Sequence, residues 1–280
     1  MNDIESWVSA AEGADQKTFR RATHVLLSAI SSHANLLPEM VMKGGALLAI
    51  RYRTGRMTRD IDFSTRVALH DFDRTIAQFV ADLDRALTNA STQNAYGLQL
   101  RAQSHEVKPN ENGRFPTLHI KIGYATLGDV RLMQRLKSGQ SPHVLAVDYS
   151  FNEEIHDIER IGDERLGVNV YGEFTLIAEK LRAYLQQLER DRSRGRDLYD
   201  LWCLLKDRRF DQAELARLFD AIKAKAHSRA IAIDSDTFEN PALFEHTQRS
   251  YEQLSGQVVD LPNFADAHAV VARFWRALPW

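Results

Sequence analysis

Apolar residues in the first third of the chain switch between helical and strand-like spacing. Phe19, Val25, Leu26 and Ile30 recur at helical intervals, which predicts a helix that buries one face. The predicted elements are, in order, a helix over Lys17–His33, a short strand over Met40–Lys43, a short helix over Ala46–Tyr52, a strand over Asp60–Ser64 and an amphipathic helix over Asp71–Asn89.

The middle of the chain is rich in strands and the rest is helical. Strands are predicted over Leu98–Val107, Thr117–Tyr124 and His143–Phe151. Helices are predicted over Phe174–Glu189, Gly195–Lys206, Gln212–Ala226, Pro241–Leu254 and Asn263–Leu278. The pattern changes near Val170, so we predict an α/β half over Met1–Asn169 and a helical half over Val170–Trp280.

Composition narrows the class of protein. With 280 residues, 44% hydrophobic and 26% charged, the chain has ordinary globular usage, which excludes a fibrous or largely disordered protein. A net charge of -2 excludes a polybasic protein. The single cysteine, Cys203, excludes a disulfide framework and favours a reducing compartment. Without a secretory pattern or an apolar run of membrane-spanning length, we expect a cytoplasmic protein with no membrane partner.

Two short motifs in the first half combine features of a phosphate site and a metal site. Gly44-Gly45 follows a strand, where the backbone can approach a phosphate and present amide donors at a helix start. Asp60 and Asp62 are two apart on a strand, so both carboxylates project from one face, as needed to hold Mg²⁺. Either motif alone is an ordinary turn or a solvated strand end. Their order along the chain is what points to phosphoryl chemistry.

The composite resembles the polymerase-beta-type nucleotidyltransferase signature, and one branch of it in particular. Lys43-Gly-Gly-Ala-Leu-Leu, followed by Arg56-Met-Thr-Arg-Asp-Ile-Asp-Phe63, looks like the AbiEii-type nucleotidyltransferase toxin family. The resemblance implies a mixed sheet with flanking helices, a nucleoside triphosphate substrate, and triphosphate contacts from Lys43, Gly44, Gly45 and Arg59. The hydroxyl residue usual after the second glycine is replaced by Ala46, so a phosphate contact from that side chain is lost.

A second constellation lies in the helical half. Lys180 borders an apolar helix stripe and would ordinarily be a surface residue, while Arg196-Asp197 would be a helix-start ion pair. The same toxin family carries an Ala-Glu-Lys-Leu helix and an Arg-Asp-x-Tyr-Asp-Leu helix here. That resemblance implies that Lys180 contacts the triphosphate and that Asp197 or Asp200 supports the catalytic centre. Their spacing of three does not separate the two aspartates.

Asp148 is a candidate third carboxylate. It interrupts an apolar strand, and nucleotidyltransferases of this type draw a third metal ligand or base from a later strand. If buried, it needs a partner, and a salt bridge to a neighbouring arginine is the alternative explanation. The strand Leu118–Tyr124 has no carboxylate and cannot supply this role.

Arginines concentrate around both constellations and favour a polyanion, either a triphosphate or an RNA backbone. Ordinary solvated loops balanced by nearby acids are the alternative. Lys223, Lys225 and Arg229 are expected to lie on a helix surface. The flanking arginines are Arg51, Arg53, Arg56 and Arg59 around the first motif, and Arg190, Arg192, Arg194 and Arg196 around the second.

These features together predict an enzyme with its active cleft between the two halves. Asp60, Asp62 and Asp148 would hold Mg²⁺, or Mn²⁺ in its place, and a nucleoside monophosphate would pass to an acceptor hydroxyl. The resemblance, which spans about Lys43 to Leu201, implies an RNA 3′ end such as that of tRNA as acceptor, a separately encoded antitoxin and a phage-defence setting. A hydroxyl group on a protein is the alternative acceptor. The rival functions are a metal-dependent nuclease and a degenerate nucleotide-binding or protein-binding module. The absence of a hydroxyl at Ala46 favours the degenerate module.

Overall fold

A computed structural model describes residues 3–55, 58–163, 166–258 and 260–280. Arg56 of the first basic loop therefore lies outside the described residues. The helices are α1 (Asp3–Ser9), α2 (Ala14–Ser31), α3 (Leu36–Glu39), α4 (Gly44–Arg51), α5 (Ile76–Gln93), α6 (Val130–Lys137), α7 (Glu173–Leu185), α8 (Gly195–Leu205), α9 (Gln212–Ser228), α10 (Pro241–Glu252) and α11 (Phe264–Arg276). The strands are β1 (Val41–Lys43), β2 (Asp60–Ser64), β3 (Leu98–Lys108), β4 (Thr117–Thr126), β5 (Val144–Ser150), β6 (Ile158–Gly162) and β7 (Gly167–Tyr171).

Most predicted elements are confirmed, and the differences have local causes. The helix predicted from Asp71 begins at Ile76, because the Thr75 hydroxyl and the Gln78 side chain form a capping box there. Phe72 consequently lies before the helix, although its ring still packs edge-on against Phe79, with 5.6 Å between the ring centroids. Five of the named elements were not predicted. They are short, lack a long periodic pattern, and comprise α1, α3, α6, β6 and β7.

The seven strands form one mixed sheet in the order β3-β4-β5-β2-β1-β7-β6. β2 runs parallel to β5 and antiparallel to β1, while β4 is antiparallel to both β3 and β5. The fold class predicted from the sequence, a mixed sheet with flanking helices followed by a helical segment, is confirmed.

Alternating burial separates the two faces of the central strands. On β5, Leu145, Val147 and Tyr149 are buried, and the intervening Ala146, Asp148 and Ser150 are half-exposed. The buried face packs against α5, where the ring of Phe79 stacks on Tyr149 with 5.1 Å between centroids. Burial raises the pKa of Tyr149 well above its ordinary value of 10. The opposite face of β2, β5 and β4 carries polar side chains.

The chain divides into two compact units. The first comprises Met1–Arg53 and Thr58–Val170, and the second comprises Thr54–Met57 and Tyr171–Trp280. Within the second unit, α8 and α10 approach so closely that a Cβ on Gly195 would lie 2.4 Å from the backbone nitrogen of Tyr251. The Gly195 amide donates to the Ser250 hydroxyl at 2.9 Å. A glycine is therefore required at the start of α8.

Candidate active site

Four polar residues form a continuous row across the open face of the sheet. The strand register places Lys43 of β1 opposite Asp62 of β2, Asp62 opposite Asp148 of β5, and Asp148 opposite His119 of β4. Directly opposed residues on adjacent strands project to the same face. We call Lys43, Asp62, Asp148 and His119 the polar row.

Asp60 adds a third carboxylate beside this row. It lies two residues before Asp62 on the same strand and is paired in register with Ala146, so it shares the face of the row. Asp60 is exposed, whereas Asp62 and Asp148 are half-buried. Among the described residues, no three His, Cys, Asp or Glu side chains are arranged to hold a metal ion by themselves.

Gly44 brings the start of α4 against the carboxylate of Asp62. Its φ of +74° is one that glycine adopts readily, and a Cβ at this position would lie 2.0 Å from Asp62 Oδ2. The first amides of a helix have no partner within the helix and carry partial positive charge, which suits a phosphate. Ala46, two residues further along α4, is completely buried.

Lys43, which the sequence assigned to nucleotide binding, is only 9% exposed. Its ammonium lies 3.6 Å from the carboxylate of Glu153, which is itself buried. This pairing places a buried cation beside Asp62 and limits how far the Lys43 side chain can reach. Glu153 was not singled out from the sequence, because it follows a strand with no recognisable motif.

Asp148 has a histidine partner. His119 Nδ1 lies 2.6 Å from Asp148 Oδ1, and both side chains are about one third exposed, at 33% and 34%. The partner is thus a residue of β4, and not the arginine that the sequence offered as the alternative. The available signal was the alternation of that strand, which places His119 on the same face as Lys121, but only the strand order brings it to Asp148.

Lys180, Asp197 and Asp200 come together in the second unit as a lysine–aspartate cluster. Lys180 Nζ on α7 lies 2.8 Å from Asp197 Oδ1 and 2.6 Å from Asp200 Oδ2, both on α8. Lys180 is 8% exposed, Asp197 6% and Asp200 0%, so the surface position expected for a lysine beside an apolar stripe is excluded. Arg194 adds a second cation 3.3 Å from Asp197 Oδ2. Both aspartates therefore contact Lys180, and Asp197 also contacts Arg194.

The flanking arginines divide into engaged and exposed residues. Arg51 pairs with Glu159, Arg194 with Asp197, and Arg196 donates to Gln257 at 3.1 Å. The exposed arginines include Arg53, Arg59, Arg190 and Arg192. Partial burial, followed by the charges of Arg182, Arg229 and Arg192, lowers the pKa of Arg190. Three arginines thus lie close enough to Arg190 to act on its charge, and Glu189 opposes their effect.

The expectation that Lys225 lies on a helix surface is wrong. Lys225 is 2% exposed, its ammonium lies 2.7 Å from Glu179 Oε2, and it also stands over the Tyr171 ring at 5.1 Å from the centroid. Glu179 precedes Lys180 in the same motif and also binds Arg182. Lys223, in contrast, is exposed and pairs with Asp220 at 2.9 Å. Helical spacing places Lys225 within the buried stripe of α9, beside Ala221 and Ile222, and the Glu179 partner that balances its charge lies on another helix.

Comparisons with known proteins point to one family. The family model described as nucleotidyl transferase AbiEii toxin, type IV TA system, matches residues 25–273. Among curated protein sequences, none matches this chain. No helix in the described part of the chain is long and apolar enough to cross a membrane.

Solved structures share the fold. MenT4, a nucleotidyltransferase toxin from Mycobacterium tuberculosis, superposes with a TM-score of 0.57 at 17% identity, covering 99% of this chain and 89% of that one. JHP933 from Helicobacter pylori superposes with a TM-score of 0.52 at 13% identity, covering 92% of this chain and 89% of that one. At these identities the likeness establishes a common fold.

Proposed function

Because this chain belongs to the AbiEii family of nucleotidyltransferase toxins of type IV toxin–antitoxin systems, we propose that it transfers a nucleoside monophosphate from a nucleoside triphosphate to the 3′ hydroxyl of an RNA. The acceptor hydroxyl releases its proton to solvent and its oxygen attacks the α-phosphorus, the bond from that phosphorus to the α–β bridging oxygen breaks, and pyrophosphate leaves. We expect tRNA as the acceptor and growth arrest as the consequence.

The observation that carries this proposal is the placement of Asp60, Asp62 and Asp148 on one open face of the sheet. Carboxylate oxygens are the donors that Mg²⁺ or Mn²⁺ takes, and these ions are usually held by one or two carboxylates together with substrate phosphate oxygens. The residues present therefore fit a divalent metal. When bound, the ion would neutralise charge on the reacting phosphates and lower the pKa of the acceptor hydroxyl.

Other residues bind and orient the triphosphate in this proposal. The amides of Gly44 and Gly45 at the start of α4 donate to phosphate oxygens, and Lys43 and Arg59 contribute positive charge. Lys180 is assigned the same role. Asp197 and Asp200 would act through Lys180, because their carboxylates hold its ammonium at 2.8 and 2.6 Å.

Surface charge and family membership support the RNA acceptor and the antitoxin. Exposed arginines and the arginines near Arg190 suit a phosphate backbone. Membership of a type IV toxin–antitoxin family supports a separately encoded antitoxin as partner. A phage-defence setting is the biological context that we propose for such a pair.

The experiment incubates the full-length protein with bulk tRNA, Mg²⁺ and each α-labelled nucleoside triphosphate in turn. Asp62→Asn tests the site, because it removes a charge from the polar row and keeps the shape of the side chain. Asp220→Asn is the matched control, since Asp220 is an exposed carboxylate that pairs with Lys223. We expect label on RNA with the wild-type protein and the control, and a loss of at least about 100-fold with Asp62→Asn.

The remaining outcomes separate the rival functions. Label on protein would keep the chemistry and change the acceptor. Shortened RNA without any need for a nucleoside triphosphate would replace the proposal with a nuclease. A folded protein that binds nucleotide and labels nothing, with or without its antitoxin gene product, would favour the degenerate module. Label transfer that survives in Asp62→Asn would remove the polar row from the reaction.

A further inference from the structure

We propose that His119 is a positioning residue that holds the Asp148 carboxylate beside Asp62. This inference rests on the proposed function and deepens it, because it assigns a role at the same site to a residue outside the signature motifs. His119 belongs to β4, which is distant from both motifs along the chain but lies next to β5 in the sheet.

The direction of the hydrogen bond follows from the chemistry of the two groups. A carboxylate only accepts hydrogen bonds, so the short contact of 2.6 Å requires that His119 Nδ1 carries the hydrogen and donates it to Asp148 Oδ1. This assignment fixes the orientation of the imidazole ring.

The surroundings of His119 favour a hydrogen bond to Asp148 over one to Glu106, the carboxylate opposite His119 on β3. Glu106 on β3 also lies opposite His119, but its carboxylate is 2.8 Å from the ammonium of Lys108. His119 bonds instead to Asp148 on the β5 side. The histidine is therefore directed towards the proposed metal-binding carboxylates and away from the sheet edge.

The sheet geometry explains what the hydrogen bond achieves. Asp62 and Asp148 are directly opposed on adjacent parallel strands, which lie about 4.8 Å apart, so their carboxylates repel one another. Because β4 and β2 flank β5 on opposite sides, donation from His119 draws Oδ1 towards β4 and away from Asp62. Oδ2 is then held in one orientation for the ion or the substrate. Partners of this kind tune metal ligands in many enzymes.

Two substitutions distinguish positioning from other roles. In His119→Asn the side-chain amide occupies the place of Nδ1 and can donate to Asp148, whereas His119→Leu has no donor. We expect His119→Leu to lower kcat about 10- to 100-fold with little change in KM for the nucleotide, and His119→Asn to recover kcat to within about threefold of wild type. His105→Leu, at an exposed histidine of β3, is the matched control and should behave like wild type.

A second measurement does not need catalysis. Mn²⁺ binding to the full-length protein, followed by electron paramagnetic resonance, should weaken about tenfold in His119→Leu and stay near wild type in His119→Asn. Equal loss in both variants would overturn the proposal, because the ring itself would then be required. Wild-type behaviour of His119→Leu in both assays, or a wild-type protein that binds no Mn²⁺, would overturn it as well.

The two proposals fail in different ways. A wild-type protein that labels no acceptor but binds Mn²⁺ in a manner dependent on His119 would contradict the proposed function and support the positioning role. An active wild-type protein with a fully active His119→Leu variant would support the proposed function and contradict the positioning role of His119.

Discussion

The carboxylate of Asp62 lies against Gly44, so closely that a Cβ on Gly44 would be 2.0 Å from Asp62 Oδ2. The two residues come from separate motifs, one at the start of α4 and the other in the middle of β2. Their contact joins the glycine pair and the aspartate pair into a single site. It also explains why a glycine is needed at position 44 independently of its φ of +74°.

Gly44→Ala should lower activity about 100-fold. The new methyl group must displace the Asp62 side chain, and a shift of about 1 Å in a reacting group can lower a rate about 100-fold. The positive φ adds a destabilisation of about 1–2 kcal/mol. The measurements are nucleotidyl transfer and the midpoint of urea unfolding.

Gly97→Ala is the matched control for this prediction. Gly97 has a φ of +63°, and no atom lies within 4 Å of the position that a Cβ would take, so the variant has the backbone strain without the clash. We expect similar destabilisation and nearly full activity. If both variants lose activity in proportion to their stability, the contact with Asp62 has no catalytic role.

Lys180→Met should destabilise the protein by about 3–5 kcal/mol, because it leaves the buried carboxylates of Asp197 and Asp200 without their shared ammonium. Adding Asp200→Asn should recover part of that loss, since one buried negative charge is removed. Urea unfolding of the single and double variants measures both effects.

The control for the lysine–aspartate cluster is Lys223→Met. Lys223 is exposed and pairs with Asp220 on the surface of α9, so its loss should change stability by less than about 0.5 kcal/mol. Equal stability of Lys180→Met and Lys223→Met would contradict the buried ion pairs. No recovery in the double variant would contradict the repulsion between the two carboxylates.

Gly195→Ala should destabilise the helical unit by about 1–3 kcal/mol. A Cβ there would meet the backbone of Ser250 and Tyr251 at 2.4–2.6 Å, and a backbone cannot rotate away as a flexible side chain can. Gly128→Ala is the comparison, because no atom lies within 4 Å of its Cβ position. Thermal unfolding of the two variants should therefore differ, and identical midpoints would argue against the close approach of α8 and α10.

Stability should fall as the pH is lowered from about 7.5 to about 6. Burial, followed by the charge of Arg276, lowers the pKa of His268 below its ordinary value of 6.5. Burial likewise lowers the pKa of His24, against the opposing effects of Glu5 and Asp163. In this range the unfolded chain binds more protons than the folded one, so acidification favours unfolding. The free energy of unfolding, measured with urea at each pH, should depend less steeply on pH in His268→Gln than in the wild-type protein. An unchanged pH dependence would contradict the prediction.

Several parts of the fold were accessible from local pattern. The strand Asp60–Ser64 matches its prediction residue for residue, because apolar and polar positions alternate on a half-buried strand. The helices from α7 onward follow apolar spacing in the same way. The members of the lysine–aspartate cluster could also be predicted, since the resemblance named them. The burial of Lys180 in contact with both aspartates could not be predicted.

Local sequence determined which elements form and which motifs carry carboxylates, glycines and lysines, because helix and strand periodicities act over neighbouring residues. It also determined the family, through motifs around Lys43–Phe63 and Ala178–Leu201. Only the tertiary structure decided that Asp148 bonds to His119, that Lys43 pairs with Glu153, and that Lys225 pairs with Glu179. These outcomes depend on strand order and helix packing, which bring together residues that are distant along the chain and that no local spacing relates.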